Sequence, residues 1–247
     1  MLAAAAGRGI PPGAGALLLG ILLLLTGLPA GARPQPATLA SLDGCLGDRR
    51  SLILSGSLPY TPVRVQEATG FFLIDFGSDG SVISPGTFLG GRRPVPMDGT
   101  TDRFERVDFF GPTGPLRLGV QDHRGIRSLV PQAGIIGTDL MAGHVVTLDV
   151  GRALVHRASR ESFCDDDALR RAGFVPLSTR TYYAHDPATL TCPAAPRGTG
   201  CPNIPSLPLR IGTVEAVAQM DTGYDDRLHP FSINVNRAFM ARLRSAG

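Results

Sequence analysis

Residues 62–77 read PVRVQEATGFFLIDFG, and residues 208–223 read PLRIGTVEAVAQMDTG. Both stretches begin with Pro, an apolar residue, Arg and another apolar residue, and both end with an apolar residue followed by Asp-x-Gly. All of these matches fall at one constant offset of 146 residues. Such internal similarity is typical of two copies of one supersecondary unit. Since each copy delivers one aspartate, Asp75 or Asp221, two copies related by a pseudo-twofold axis would bring a pair of carboxylates together.

Short apolar runs separated by Gly and Pro continue through the rest of the chain and predict a mainly β fold. A Gly- and Pro-rich segment, residues 111–115, predicts the tip of a hairpin. Three acidic residues, 165–167, precede the stretch 168–172, and Gly173 follows it. This pattern predicts a short helix with an acidic N-cap and a glycine C-cap. The predicted strands are 63–65, 71–74, 81–83, 107–110, 116–120, 145–150 and 153–155, and residues 236–244 predict a second helix.

The N-terminus has the pattern of an export signal, with Arg8, an apolar stretch over residues 16–28 and a small-x-small site at 30–32. The apolar stretch is shorter than the roughly 20 residues of a membrane-spanning helix. We therefore expect an exported protein, periplasmic or extracellular, with no stable membrane span. A tether formed by the uncleaved N-terminal segment is the alternative. The expected domains are a signal peptide at 1–32, an N-terminal lobe at 33–165 and a partial C-terminal lobe at 166–247.

Composition argues against several other classes of function. The 24 basic residues are all Arg and are scattered, whereas a nucleic-acid surface needs a basic face or stripe. Neither a Cys-x-x-Cys nor a paired-His spacing is present, and no Gly-rich phosphate loop precedes a helix. We therefore predict no nucleic-acid partner, no metal and no cofactor. The five histidines follow no order typical of a catalytic triad and are interpreted as surface or turn residues.

Four cysteines in an exported chain are compatible with disulfides, and four cysteines allow three connectivities. The spacing favours Cys45 with Cys164 across the first copy, and Cys192 with Cys201 across a Pro- and Gly-rich loop.

Taken together, the motifs resemble the aspartic peptidases of the pepsin and retropepsin type. In that family Asp-Thr/Ser-Gly follows an apolar strand, a glycine-rich flap comes next, and an apolar-apolar-Gly element crosses behind the catalytic loop. Here residues 75–78 (DFGS), the 109–115 hairpin and residues 135–137 (IIG) occur in that order, and residues 221–223 (DTG) match the family tripeptide. The resemblance implies a bilobal protein with acid-protease-like double-ψ β-barrel lobes.

The resemblance also implies the roles of individual residues. It makes Asp75 and Asp221 the catalytic pair of an aspartic-type endopeptidase, in which one carboxyl is protonated and the other is charged. A water between them would attack a peptide bond of a substrate held in an extended conformation. The expected supporting residues of the catalytic loops are Gly77, Ser78, Thr222 and Gly223, and the expected flap and substrate-binding residues are Phe110, Gly111, Thr113 and Gly114.

The chain departs from the family pattern in three respects. Phe76 stands where the family has Thr or Ser, so a hydroxyl brace beneath the pair cannot be symmetrical. Tyr224 replaces the small residue that usually follows the second Asp-x-Gly. Only 26 residues follow Asp221, whereas the first copy needs 60 to reach Ile135 from Asp75, so we expect an incomplete second lobe.

These departures leave other functions open. A catalytically inactive, exported peptide-binding or scaffold module with the same fold is the main alternative. A dimer in which each copy contributes its own Asp75 is another, although the intact Asp221 motif disfavours it. The sequence does not determine the oligomeric state.

Overall fold

The computed structural model describes residues 39–89, 101–126, 128–181, 204–226 and 232–246. The fold is mainly β, as predicted, and its largest sheet curls into a half barrel. The predicted signal peptide and the predicted Cys192–Cys201 pair lie outside the described residues. Within the described part of the chain, no helix is both long and apolar enough to cross a membrane.

The strands are β1 (Asp48–Ser51), β2 (Ile53–Ser55), β3 (Leu58–Val65), β4 (Ala68–Ile74), β5 (Val82–Ile83), β6 (Thr101–Phe104), β7 (Val107–Asp108), β8 (Pro112–Thr113), β9 (Leu116–Val120), β10 (Gln132–Ile136), β11 (His144–Asp149), β12 (Leu154–Ser159), β13 (Arg180–Thr181), β14 (Pro205–Ile211) and β15 (Val214–Gln219). The α-helices are α1 (Thr138–Met141), α2 (Asp166–Arg171) and α3 (Arg237–Ser245), and short 3₁₀ turns occur at Leu39–Leu42, Pro85–Thr87 and Val150–Arg152.

The largest sheet has the strand order β6-β9-β5-β10-β4-β3-β7-β8, with β2 also paired to β3. Strand β10 runs parallel to β4 and antiparallel to β5, so it separates two strands that are neighbours in sequence. Gly70 permits the close approach of β4 and β10, because a Cβ at that position would lie 2.3 Å from the Cβ of Ala133. Alternating apolar residues of β3 and β4 fill the core beneath, including Val63, Val65 and Phe72, which are fully buried.

A second sheet, β1-β12-β11, contains the predicted hairpin of residues 145–155. It lies next to a small core formed by Leu42, Leu46 and the disulfide Cys45–Cys164, which confirms one predicted cysteine pair. Helix α2 also borders this core, and its N-terminus is capped by the side chain of Asp165 as the sequence predicts.

The third sheet, β13-β14-β15, carries the second copy of the repeated stretch. Strands β14 and β15 pair in the register of β3 and β4: Pro208 lies opposite Val217, and Pro62 lies opposite Phe71. Each of these residues is offset by 146 from its counterpart, so the repeat in the sequence is also a repeat of backbone pairing. Helix α3 follows, capped by Asn236.

The interpretation of the histidines as surface or turn residues is wrong for His156 in β12, whereas His123 is buried but opens a turn, since its carbonyl accepts from the N–H of Ile126. His123 is 6% exposed and His156 is 1% exposed, while His144 is exposed. Successive side chains of a strand point to opposite faces of the sheet, so the imidazole of His156 in β12 can face the core. The sequence alone did not show which face of β12 is buried.

Candidate active site

Asp75 follows directly after the last residue of β4, at the edge where β4 meets β10. Its backbone N–H donates to the carbonyl of Ile136 at 3.0 Å, which continues the β4–β10 pairing by one residue. The chain then turns sharply, and the N–H of Gly77 donates to Oδ1 of Asp75 at 2.7 Å. The carboxylate is therefore held by its own loop and is half-buried.

The loop after β15 has the same hydrogen bond at the equivalent position. The N–H of Gly223 donates to Oδ1 of Asp221 at 2.8 Å, two residues beyond the aspartate as in the first copy. Asp221 is exposed, whereas Asp75 is half-buried. The two Asp-x-Gly loops thus share one local structure but differ in how far each carboxylate is removed from water.

The two carboxylates face one another across the two glycines. A Cβ on Gly77 would lie 2.7 Å from Oδ1 of Asp221 and 3.0 Å from Oδ1 of Asp75. A Cβ on Gly223 would lie 2.5 Å from Oδ2 of Asp75. Each loop therefore needs glycine, because any larger residue would enter the space that the opposing carboxylate occupies.

This arrangement raises the pKa of Asp75 to about 6. Burial is the largest cause, since it penalises the charged form, and the N–H of Gly77 partly opposes it by stabilising the carboxylate. The negative charge of Asp221 and a hydrogen bond between the two carboxyl groups raise the pKa further. Between about pH 4 and pH 6 this carboxyl therefore keeps a proton that an ordinary aspartate has lost.

A hydroxyl from the second loop braces the first. Oγ1 of Thr222 accepts a hydrogen bond from the N–H of Phe76 at 2.9 Å and donates one to the carbonyl of Ile74 at 2.8 Å. Phe76 has no hydroxyl to return the interaction, and its ring packs against the main core instead. The brace is therefore one-sided, in agreement with the expectation from the sequence.

The segment 135–137 passes behind the loop of Asp75. The N–H of Gly137 donates to Oγ of Ser81 at 2.9 Å, and Thr138 N–H donates to the carbonyl of Ser78 at 2.8 Å. A Cβ on Gly137 would lie 2.7 Å from the backbone of Gly80, so this crossing also requires glycine. The Oγ of Ser78 donates to the carbonyl of Gly80 and stabilises the loop itself.

Several residues that hold this region together have no recognisable signal in the sequence. Nε2 of Gln219 donates to the carbonyl of Gly77 at 2.9 Å, and Oγ of Ser57 donates to Oδ1 of Asp225 at 2.8 Å. Asp139 accepts hydrogen bonds from the N–H and Oγ of Ser81. Gln219 and Asp225 lie within four residues of Asp221, but proximity in sequence does not reveal a partner more than 140 residues away.

The structure does not bring the predicted flap residues to the two aspartates. Strand β7 pairs with β3 at Arg64 and Val65, which lie at the turn end of the β3–β4 hairpin. Asp75 follows the other end of β4. The predicted flap and substrate-binding residues in this hairpin are Phe110, Gly111, Thr113 and Gly114.

Arginine contacts explain where this hairpin docks. Nη2 of Arg157 donates to the carbonyl of Phe110 at 2.6 Å, and the guanidinium groups of Arg50 and Arg157 lie 5.6 and 5.0 Å from the centroid of its ring. Arg50 also pairs with Asp108. These contacts fasten the 107–113 hairpin to the β1-β12-β11 sheet.

Among the described residues, no three His, Cys, Asp or Glu side chains come together as metal ligands. Comparison of the sequence with models of protein families and with curated proteins, and of the fold with solved structures, found no match. The function is therefore inferred from the geometry of the two Asp-x-Gly loops.

Proposed function

We propose that the protein is an aspartic-type endopeptidase that hydrolyses peptide bonds through Asp75 and Asp221. The observation that carries the proposal is the apposition of the two carboxylates, each within 3.0 Å of the position that a Cβ on Gly77 would occupy. Two carboxyl groups so close cannot both ionise readily, and a pair that shares one proton can act as general acid and general base.

The fold supports the same assignment. Strand β10 lies parallel to β4 and ends in the Ile-Ile-Gly segment behind the loop of Asp75, as in an acid-protease-like double-ψ lobe. The second copy repeats the β3–β4 register in β14 and β15 and delivers Asp221 to the same place. On this interpretation the protein has two related lobes, each of which contributes one Asp-x-Gly loop.

The proposed reaction needs one proton and one water. The charged carboxylate accepts a proton from the water as the water oxygen bonds to the scissile carbonyl carbon, and the protonated carboxyl donates its proton to the carbonyl oxygen. The C–N bond of the resulting tetrahedral intermediate then breaks, the amine leaves with the proton taken from the water, and the pair regains one proton from the intermediate's hydroxyl as the new carboxyl group forms. No covalent intermediate with the enzyme forms. The pair titrates as a unit, so neither role belongs to Asp75 or Asp221 separately. Asp221 is exposed, so water can reach the pair. The disulfide is compatible with an exported protein.

A second candidate is a peptide-binding module without activity. The specific observation in its favour is that the 107–113 hairpin pairs with β3 and is fastened to the β1-β12-β11 sheet by the hydrogen bond from Arg157 to the carbonyl of Phe110. A peptidase excludes bulk water by closing a segment over the substrate, and the contacts of Arg50 and Arg157 restrain this hairpin from such a movement. The two candidates predict the same binding of extended peptides and differ only in hydrolysis.

Hydrolysis of a fluorogenic peptide library across pH 3–8 tests the proposal. We expect a bell-shaped rate profile that declines above about pH 6, since the pair then loses its shared proton. Asp75→Asn and Asp221→Asn should each remove the activity. Asp79→Asn is the matched control, because Asp79 is an exposed carboxylate in the same loop as Asp75 and should keep the wild-type rate.

A statine-type transition-state mimic provides a second measurement on the same protein. It should inhibit hydrolysis and should bind the wild type more tightly than either Asn variant. Activity that survives Asp221→Asn would overturn the two-carboxylate mechanism. Peptide binding without hydrolysis at any pH would replace the peptidase with the binding module.

A further inference from the structure

A hydrogen bond joins the loop of Asp221 to a turn in the first copy. Oγ of Ser57, in the turn between β2 and β3, donates to Oδ1 of Asp225 at 2.8 Å, and the same hydroxyl lies 3.5 Å from the carbonyl of Tyr224. Ser57 and Asp225 are 168 residues apart in sequence. The contact is therefore a long-range one between the two copies, and it lies four residues after Asp221.

The turn is shaped to receive this carboxylate. Gly56 has a φ of +66°, in the left-handed region that favours glycine. A Cβ at Gly56 would lie 2.9 Å from Oδ2 and 3.2 Å from Oδ1 of Asp225. The backbone of Gly56 thus packs directly against the carboxylate that Ser57 binds. The close approach depends on Gly56 and the hydrogen bond depends on Ser57, the two residues of the turn.

The loop of Asp221 is held to the first copy on both sides. Before the aspartate, Gln219 donates to the carbonyl of Gly77, and directly after it Thr222 bridges Phe76 and Ile74. Asp225 adds an attachment further along the chain. Without it, the segment that follows Thr222 would lose its side-chain bond to the β2–β3 turn.

We infer that Ser57 and Asp225 form a latch that positions Asp221 against Asp75. This inference rests on the proposed function, because it assigns the latch to the same pair of carboxylates. Ser57 and Asp225 are positioning residues and do not touch the reacting atoms. Their effect on rate is transmitted through the placement of Asp221, and displacements of about 1 Å in a catalytic group can cost up to 100-fold in rate.

The latch can be tested without relying on peptidase activity. The carboxyl carbons of Asp75 and Asp221 can be titrated by ¹³C NMR in protein labelled at aspartate. The charged and polar groups around Asp75 are Asp221 and the N–H groups of Gly77 and Gly223. Since the charge of Asp221 raises the pKa of Asp75, removal of the latch should lower the Asp75 midpoint towards the ordinary value of 3.8.

The variants are chosen to separate the hydroxyl from the charge. Ser57→Ala and Asp225→Ala should lower the Asp75 midpoint and reduce kcat about tenfold with little change in KM. Asp225→Asn keeps an oxygen that accepts from Ser57 and should behave nearly as wild type. Ser162→Ala removes an exposed, hydrogen-bonded serine elsewhere and is the control. None of the four substitutions is at a buried site, and circular dichroism should report the wild-type fold.

The outcomes distinguish the latch from the proposed function. If Ser57→Ala and Asp225→Ala leave both the Asp75 midpoint and kcat unchanged, the latch is overturned. If the midpoint moves in both variants but the wild type hydrolyses no peptide, the latch stands and the peptidase proposal fails. An equal loss in Asp225→Asn and Asp225→Ala would also overturn the latch as described, because the hydrogen bond from Ser57 would then not be what matters.

Discussion

Oγ1 of Thr222 accepts the hydrogen bond of the Phe76 N–H at 2.9 Å, and these two residues occupy equivalent positions in the two copies. The relationship is therefore an interaction between the two copies that only one side can make. A Thr or Ser at position 76 would allow a reciprocal bond, but Phe76 contributes its ring to the core instead. The brace between positions 76 and 222 consequently depends on one hydroxyl.

We expect Thr222→Val to be more damaging than its small change in shape suggests. Valine fills the same volume but leaves the N–H of Phe76 and the carbonyl of Ile74 without their partner, at a cost of about 1–3 kcal/mol in the free energy of unfolding. Urea denaturation measures this cost. Peptide hydrolysis should fall in parallel, because the two carboxylates are no longer held in register.

Thr222→Ser is the matched control for that substitution. Serine keeps the hydroxyl and loses only a methyl group, so it should retain most of the stability and activity. If Thr222→Ser and Thr222→Val lose the same amount, the bridging hydroxyl is not what holds the loops.

Asp75→Asn should stabilise the protein at neutral pH. The pKa of Asp75 is about 6 in the folded state against an ordinary value of 3.8, so the folded protein binds this proton more tightly. Wild-type stability therefore falls as pH rises from about 4 to 6, by roughly 1–3 kcal/mol. The asparagine side chain carries no proton to lose, so the variant should exceed wild type at pH 7 and match it near pH 3.5.

Chemical denaturation at a series of pH values measures this difference. Asp79→Asn, at an exposed position in the same loop, should leave the pH dependence unchanged. A variant at position 75 that is less stable than wild type by the same amount at every pH would mean that the buried charge is not a source of instability.

The repeat that begins at Pro62 and Pro208 made much of this site predictable. The repeat predicted two hairpins, their common register and the two aspartates. This was possible because hairpin pairing and Asp-x-Gly turns are local and leave a pattern in the sequence. The one-sided brace at Phe76 also followed from residue type alone, since phenylalanine offers no hydroxyl.

Long-range docking was not predictable in the same way. The Gly- and Pro-rich hairpin after Val107 was expected over the aspartates, but turn composition says only that the chain reverses. Its position is decided by Arg50 and Arg157, which lie far from it in sequence and hold Phe110 on another sheet. The contact between Ser57 and Asp225 was not predictable for the same reason. Both are ordinary turn residues in the sequence, and only the fold brings them together.

The disulfide Cys45–Cys164 should contribute strongly to stability. Its cysteines are 119 residues apart, and a cross-link over a loop of this length reduces the entropy of the unfolded chain considerably. We expect the double variant Cys45→Ala/Cys164→Ala to lose about 2–5 kcal/mol in the free energy of unfolding, measured by urea denaturation.

Cys192→Ala/Cys201→Ala is the comparison for that measurement. These cysteines are separated by a much shorter stretch, so a bridge between them would restrict the unfolded chain less and its loss should cost less. A larger loss from the 192/201 pair than from the 45/164 pair would contradict the argument from loop length.

His156 should make the protein less stable in mild acid. Its imidazole is 1% exposed, and neither ring nitrogen has a hydrogen-bond partner among the described residues. Burial lowers the pKa of His156, the positive charges of Arg152 and Arg49 lower it further, and Asp149 and Asp43 oppose them. The unfolded chain therefore binds this proton more readily than the folded protein, so stability is lost as pH falls through 6.5 and below.

Thermal unfolding of His156→Leu between pH 7 and pH 5 measures this contribution. Leucine suits a buried position and cannot be protonated, so the variant should lose less stability over this range than wild type. His144→Leu alters an exposed histidine and should retain the wild-type slope. Since His123 is also buried with a lowered pKa, some slope should remain in His156→Leu. If the stability of His156→Leu and of wild type falls equally between pH 7 and pH 5, the folded protein accommodates His156 in its charged form.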